Sequence, residues 1–318
     1  MSEFDLIQRY FTRATPSAEL GVGDDAALLK VSEGVELVIS TDMLVSATHF
    51  FPDADPEYLG HKTLAVNLSD LAAMGAVPRW ATLALALPHV DEDWLAKFSR
   101  GFFALAEQHS VDLIGGDTTR GPLTLSVTIM GELPKGSALR RDAAQEGDDV
   151  WVSGALGDAA LALTHLLGKL VLPPEILAAC EPRLHQPQAR VALGLALRGI
   201  ANSAVDVSDG LLADLGHILE RSHVAAELSF ATIPRSAHFL ASGANDLLLQ
   251  HCALAGGDDY ELCFTAAIER RSEIEQISAQ LALPLTRIGK IVSGVGCVLR
   301  DADGSEMQTK EFGYAHFS

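Results

Sequence analysis

Val35-Glu-Leu-Val-Ile-Ser-Thr-Asp42 reads as a strand that ends on a carboxylate, and the stretch from Pro56 to about Met74 reads as the long helix that follows it. The strand is rich in β-branched and aliphatic side chains, and its terminal aspartate falls where a sheet hands over to a loop. Pro56 suits the first turn of the helix, while Gly75 and Pro78 stop it. Towards the N-terminus, Phe4, Ile7, Tyr10 and Phe11 recur at helical spacing, and Ala26 to Val31 has the composition of another strand. On the C-terminal side the pattern continues with a strand over Thr82 to Leu87, a helix over Asp91 to His109, a buried strand over Val111 to Ile114 and a long strand over Leu123 to Leu133. This half of the chain is α/β.

Between Pro134 and Asp149 the periodicity dissolves into Pro-Lys-Gly-Ser and a charged stretch, the signature of a domain edge. Two domains are expected, residues 1–138 and 139–318, the second again α/β. Its strands are expected at Val150 to Ser153, Ala204 to Val207, Ala225 to Phe230, Tyr260 to Thr265, Leu285 to Ile291 and Gly296 to Arg300. Helices are expected at Asp158 to Leu167, Gln188 to Ile200, Gly210 to Arg221, near Leu247, and at Ile268 to Leu281.

With 318 residues, 48% hydrophobic and 20% charged, the chain has ample apolar material for packed cores. Its net charge of −19, without a basic run, argues against nucleic acid and anionic membrane as partners. Cys180, Cys252, Cys263 and Cys297 are far apart in sequence and form no metal-ligand pair, so a reducing cytoplasm is the expected compartment. The N-terminus has acids where a signal peptide wants cations, and no apolar run is long enough to span a membrane.

The chemistry concentrates in aspartates flanked by glycine. Gly21-Val-Gly-Asp-Asp-Ala26 has the spacing of a dinucleotide-binding turn but lacks the helix that should follow, so it reads as a turn presenting Asp24 and Asp25, either solvated or an oxygen-rich cation site. Ser40, Thr41 and Asp42 close a strand, as ligands or as a cap. Asn67 and Asp70, three apart, share a face of an otherwise apolar helix, where a carboxylate must be protonated, hydrogen-bonded or metal-bound. Gly115-Gly-Asp117-Thr-Thr follows a strand; Asp206-Val-Ser-Asp209-Gly precedes a helix, as ligands or as an N-cap; Gly256-Gly-Asp258-Asp-Tyr-Glu261 is the last cluster. Gly147-Asp148-Asp149 reads as an ordinary turn. Neither a P-loop nor a protein-kinase motif set is present, so phosphates would be held by metal ions, glycine backbone and a few cations such as Arg141.

In order, G-V-G-D-D-A-A-L-L, S-T-D-M-L-V, A-V-N-L-S-D-L-A-A-M-G-A, G-G-D-T-T-R-G-P, D-V-S-D-G-L and G-G-D-D-Y-E-L resemble the thiamine-monophosphate kinases, from about Phe4 to the terminal Gly-Tyr-Ala-His-Phe. The resemblance implies an α/β fold of α+β type with the PurM-like two-domain architecture of the aminoimidazole ribonucleotide synthetase superfamily. In it the N-terminal domain pairs in a homodimer through a β-barrel. It further implies ATP and thiamine monophosphate as substrates, several Mg²⁺ ions, and direct in-line transfer with no single general base.

Carried over by motif, Asp25, Ser40, Thr41, Asp42, Asp70, Asp117, Asp206 and Asp209 take metal positions; Gly116, Asp117, Arg141 and Ser208 take ATP; and His49, Asp258 and Tyr314 take the thiamine side. Asp258 stands where the family pattern has Glu. Relatives in the same superfamily, such as selenophosphate synthetases, fit less well because no reactive cysteine lies near the N-terminus.

Overall fold

A computed structural model describes residues 3–307 and Gly313. The chain divides into two compact units, one of residues 3–71 and 76–136, the other of residues 72–75, 137–307 and 313.

In the first unit a short helix α1 (Glu3–Leu6) continues as a wider turn over Ile7–Phe11, followed by β1 (Val35–Val45), α2 (Pro56–Met74), β2 (Val77–Leu87), α3 (Glu92–Gln108), β3 (Asp112–Arg120) and β4 (Thr124–Pro134). The strands form an open sheet in the order β1-β4-β2-β3, antiparallel except for the β2/β3 pair. Apolar on nearly every side, α2 is enclosed accordingly: Leu64, Ala65, Leu68 and Leu71 have no exposure. Trp80 and Ile129 from the sheet and Phe98 and Phe102 from α3 are likewise buried, each such side chain contributing about 1.5–3 kcal/mol. Asp91 starts α3 by accepting the Trp94 N–H at 3.0 Å.

The second unit contains β5 (Asp149–Ser153), α4 (Asp158–Leu166), α5 (Pro174–His185), α6 (Val191–Leu197), β6 (Ser203–Val207), α7 (Leu211–Ser222), β7 (Ala225–Ser229), α8 (Ala237–Leu240), α9 (Asp246–Ala255), β8 (Glu261–Ala266), α10 (Arg271–Leu281), β9 (Leu285–Val292) and β10 (Gly296–Arg300). Its strands form a six-stranded sheet, β10-β7-β9-β5-β8-β6, in which only β10/β7 is parallel. Val152, Val205, Leu215, Ile218 and Ile288 join the sheet to α7, while α4, α5 and α9 share a second core around Leu161, Cys180 and Phe239.

Two open, mostly antiparallel sheets give a mixed fold of α+β type, and neither sheet closes into a barrel among the described residues. The strand expected over Ala26 to Val31 does not form. From this segment Leu28 makes an isolated bridge to Leu20, with Asp24 and Asp25 in the loop between them. Nor does the strand at Val111 to Ile114 stop at the glycines. β3 runs through Gly115, Gly116 and Asp117 to Arg120 alongside β2. Helix α5 carries Pro182 within its last turn and is absent from the sequence reading.

Candidate functional site

The acidic motifs are described unit by unit. In the first unit, alternation along β1 places Ser40 and Asp42 on one face and Thr41 on the other. The Ser40 hydroxyl donates to Asp70 on α2, and the Asp42 N–H reaches Asn67 Oδ1 at 3.2 Å, so β1 and α2 bring Ser40, Asp42, Asn67 and Asp70 together. Asp70 is half-buried and partnered, which resolves the cost of a carboxylate on an apolar helix. Thr41 looks the other way, its Oγ1 2.8 Å from that of Thr128 on β4. His49, past the end of β1, folds back on the chain and accepts the Val45 N–H on Nδ1 at 3.0 Å.

Asp117 and Gly116 sit within β3, both exposed. A Cβ at Gly116 would lie 1.9 Å from the Leu83 carbonyl oxygen, and the residue has φ +152°. This glycine is required for close approach of β3 to β2, a packing reason that the motif alone did not disclose. The loop with Asp25 is closed by hydrogen bonds between Leu20 and Leu28. Ser17, just before it, is fastened to β3 by Asp112, which accepts its N–H at 2.8 Å and its hydroxyl at 2.5 Å, and the Trp80 indole N–H donates to the Ser17 carbonyl at 3.1 Å. Asp25 is exposed at that anchored loop.

In the second unit, Asp206 is buried on β6, and Ser208 and Asp209 form the turn into α7. The helix begins at a Gly210 cap with no side-chain cap bond, so neither aspartate serves as the N-cap. The main-chain donors of the turn go instead to Asp214, inside the first turn of α7. Its Oδ2 accepts the N–H groups of Ser208, Asp209 and Gly210 at 3.0, 3.0 and 3.1 Å. Burial lifts the Asp214 carboxyl to about 7; the three N–H donors pull the other way and the Asp209 charge adds to the rise. Asp214 was missed in the sequence, where its one signal is an acid among the leucines of an amphipathic helix, four residues after Gly210.

A second loop lies against this turn. Asp258 N–H donates to the Ser208 carbonyl at 2.9 Å and Tyr260 N–H to the Val207 carbonyl at 2.8 Å. Asp258 and Tyr260 hold φ +67° and +50°, a conformation costing about 1 kcal/mol or more for a residue with a Cβ, so the surrounding contacts must impose it. The Tyr260 hydroxyl donates to Asp258 Oδ1 at 3.2 Å.

Between them, part of Asp259 stays at the surface while its carboxyl is enclosed, one oxygen accepting the Gly157 N–H at 2.9 Å and the other without a hydrogen-bond partner. Burial pushes that carboxyl well above the ordinary range. Glu261, also buried, is held by both sides of the Arg190 guanidinium and by the Ser153 hydroxyl at 2.6 Å. Arg141 is exposed, and its carbonyl accepts the Ser222 hydroxyl at 2.8 Å. Tyr314 lies outside the described residues.

The turn read at Gly147 forms, the Asp148 N–H donating to the Gln145 carbonyl at 3.0 Å, but it is not an ordinary solvated one, since Asp148 and Asp149 are both buried. Asp148 takes the Asn202 amide at 2.9 Å, and Asp149, starting β5, takes Arg271 at 2.6 and 2.8 Å. These carboxylates fasten β5 to its neighbourhood.

The donor set suits a hard cation. Ser40, Asp42 and Asp70, and separately Asp206 and Asp209, offer oxygen ligands, the type that binds Mg²⁺. Among the described residues no three His, Cys, Asp or Glu side chains are gathered closely enough to enclose an ion. One or two carboxylates per ion is what Mg²⁺ held chiefly through substrate phosphates requires.

Residues 23–133 match the model of the AIR synthase related protein N-terminal domain. Over 320 residues, covering 99% of this chain and 98% of the relative, the sequence is 45% identical to the thiamine-monophosphate kinase of Salmonella typhimurium strain LT2. The chain belongs to the thiamine-monophosphate kinase family.

Two solved structures agree in fold. The crystal structure of thiamine-monophosphate kinase from Stenotrophomonas maltophilia K279a is 52% identical, with a TM-score of 0.88 over 96% of this chain and 98% of that one. A protein named AaThiL, solved in complex with AMPPCP and TMP, is 30% identical, with a TM-score of 0.79 over 90% of this chain and 89% of its own. The mixed two-sheet fold is thus the fold of thiamine-monophosphate kinases.

Proposed function

We propose that this chain transfers the terminal phosphoryl group of ATP to the phosphate of thiamine monophosphate, giving ADP and thiamine diphosphate, the last step in making that cofactor. The observation that carries this reading is full-length likeness to thiamine-monophosphate kinases with the acidic motifs in place. The attacking oxygen belongs to a phosphate that is already ionised near neutral pH, so the chain needs no strong general base and works by positioning.

In the first unit Asp25, Ser40, Thr41, Asp42, Asp70 and Asp117 would hold metal ions, with Gly116 and Asp117 contacting ATP and His49 the thiamine side. In the second, Asp206 and Asp209 would hold metal, Arg141 and Ser208 would contact ATP, and Asp258 and Tyr314 the thiamine side. Mg²⁺, when bound, supplies the positive charge that offsets repulsion between two anionic substrates and stabilises the transferred group. The acids of this chain recruit that charge, which reconciles a net charge of −19 with phosphate substrates.

Residues 1–138 are read as the ATP- and metal-binding domain that also pairs in a homodimer, and residues 139–318 as the second PurM-like domain. Support for pairing comes from β1, an edge strand that exposes Leu37, Ile39 and Met43, with Ile39 and Met43 each 57% accessible. A β-barrel closed across two such sheets would cover them. No helix among the described residues is long and apolar enough to cross a membrane. We place the protein in the cytoplasm.

The test is to incubate the purified protein with ATP, Mg²⁺ and thiamine monophosphate and to follow thiamine diphosphate by chromatography. Product is expected. Its absence where the protein binds Mg-ATP would overturn the assignment.

A further inference from the structure

We propose that Asp214 is a positioning residue, which holds the Asp206–Gly210 turn in the single conformation from which Ser208 and Asp209 act. The proposal rests on the reading in which Ser208 contacts ATP and Asp209 a metal ion. Three successive main-chain donors, Ser208, Asp209 and Gly210, converge on one carboxylate oxygen at 3.0 to 3.1 Å. The turn is held from its other side as well, because the carbonyls of Val207 and Ser208 accept the N–H groups of Tyr260 and Asp258. The fit is close: a Cβ added at Gly257 would lie 2.5 Å from the Ser208 carbonyl oxygen.

The consequence concerns recognition. A glycine-rich turn at a helix start ordinarily offers its N–H groups to phosphate oxygens. Here those donors already serve a carboxylate from the helix itself, and the Ser208 carbonyl serves Asp258. Of the donors of Ser208, the hydroxyl remains for ATP phosphate oxygens, and Asp209 can act through its side chain or carbonyl but not its N–H. The turn reads its ligands through side chains. Asp214 touches neither substrate nor metal in this scheme and acts through the residues it fastens.

The experiment uses the full chain with Asp214→Ala, Asp214→Asn and, as a reference, Asp209→Asn. Amide exchange of the segment around residues 203–216 is followed by mass spectrometry, and Mn²⁺ binding without nucleotide by paramagnetic resonance. In Asp214→Ala, with cooperative melting retained, exchange in the turn should quicken about tenfold or more as local opening becomes easier. Mn²⁺ half-saturation should rise ~10-fold, the usual scale for losing a group that orients a ligand.

Asp214→Asn keeps one acceptor oxygen and should recover part of both effects; should the alanine variant not fold, this variant carries the same test. Exchange at the wild-type rate in both variants would overturn the proposal. So would faster exchange with unchanged Mn²⁺ binding when Asp209→Asn weakens that binding. Wild-type Mn²⁺ binding in Asp209→Asn would instead overturn the metal reading beneath it, while exchange would still decide whether Asp214 holds the turn.

Discussion

The two units present their acids by different means. In the first, Ser40, Asp42 and Asp117 lie on strands whose main-chain ladders set their direction. In the second, Asp209 and Asp258 sit on tight loops whose backbone is held by buried groups, Asp214 below one and Asp259 and Glu261 beside the other. A ladder holds a ligand residue by repeating main-chain bonds that any side chain permits. A loop needs dedicated support, and that support is itself polar and buried, where loss of one partner is costly. Substitutions should therefore separate activity from stability in the first unit and couple them in the second.

The largest effect expected on this comparison is in the first unit. Asp42→Ala and Asp70→Ala should each lower kcat by roughly 10²–10³, the scale for removing one pre-oriented electrostatic contact, with a melting curve close to that of the parent. Steady-state kinetics with thermal melts checks this, and near-normal rates in both would break the proposed metal roles.

In the second unit Arg190→Ala should cost about 3–5 kcal/mol in urea unfolding, because it leaves Glu261 charged and enclosed. A loss below about 1 kcal/mol, the surface-pair scale, would break the contrast. Gly116→Ala tests the ladder itself. The clash with Leu83 and the positive φ should destabilise the protein by about 1–3 kcal/mol, measured the same way.

The smallest effect is in pH dependence. Asp259 has a folded pKa above its unfolded one, so the folded state holds the extra proton, and this group's contribution is greatest at low pH and falls as pH rises towards the folded pKa. Asp259→Asn should remove that fall, so the variant should gain on the parent in urea melts as pH rises above the ordinary carboxylate range. A parallel pair of pH profiles would show that Asp259 does not titrate in this way.

Much of this was legible in the chain. Helix α2 was bounded by Pro56 and Gly75, and α3 by its Asp91 cap, because helices start and stop on local signals. β1 and β4 were read from their β-branched and aliphatic runs, and the order of the acidic motifs pointed to the family. The loop at Ala26 to Val31 misled because its apolar residues have a strand's composition but no neighbouring strand to pair with, and pairing is not a local property.

The chain by itself determined most of the pattern of elements and the order of acidic motifs that marks the family, since each depends on residues close in sequence. Tertiary structure alone decided what holds those acids. Gly116 serves the close approach of β3 to β2, Asp148 and Asp149 are buried fasteners, and Asp214 ties the turn that carries Ser208 and Asp209. Burial and partnership of a carboxylate are set by groups tens of residues away: Asp149 by Arg271, Glu261 by Arg190, Asp259 by Gly157. No spacing rule within one segment can supply them.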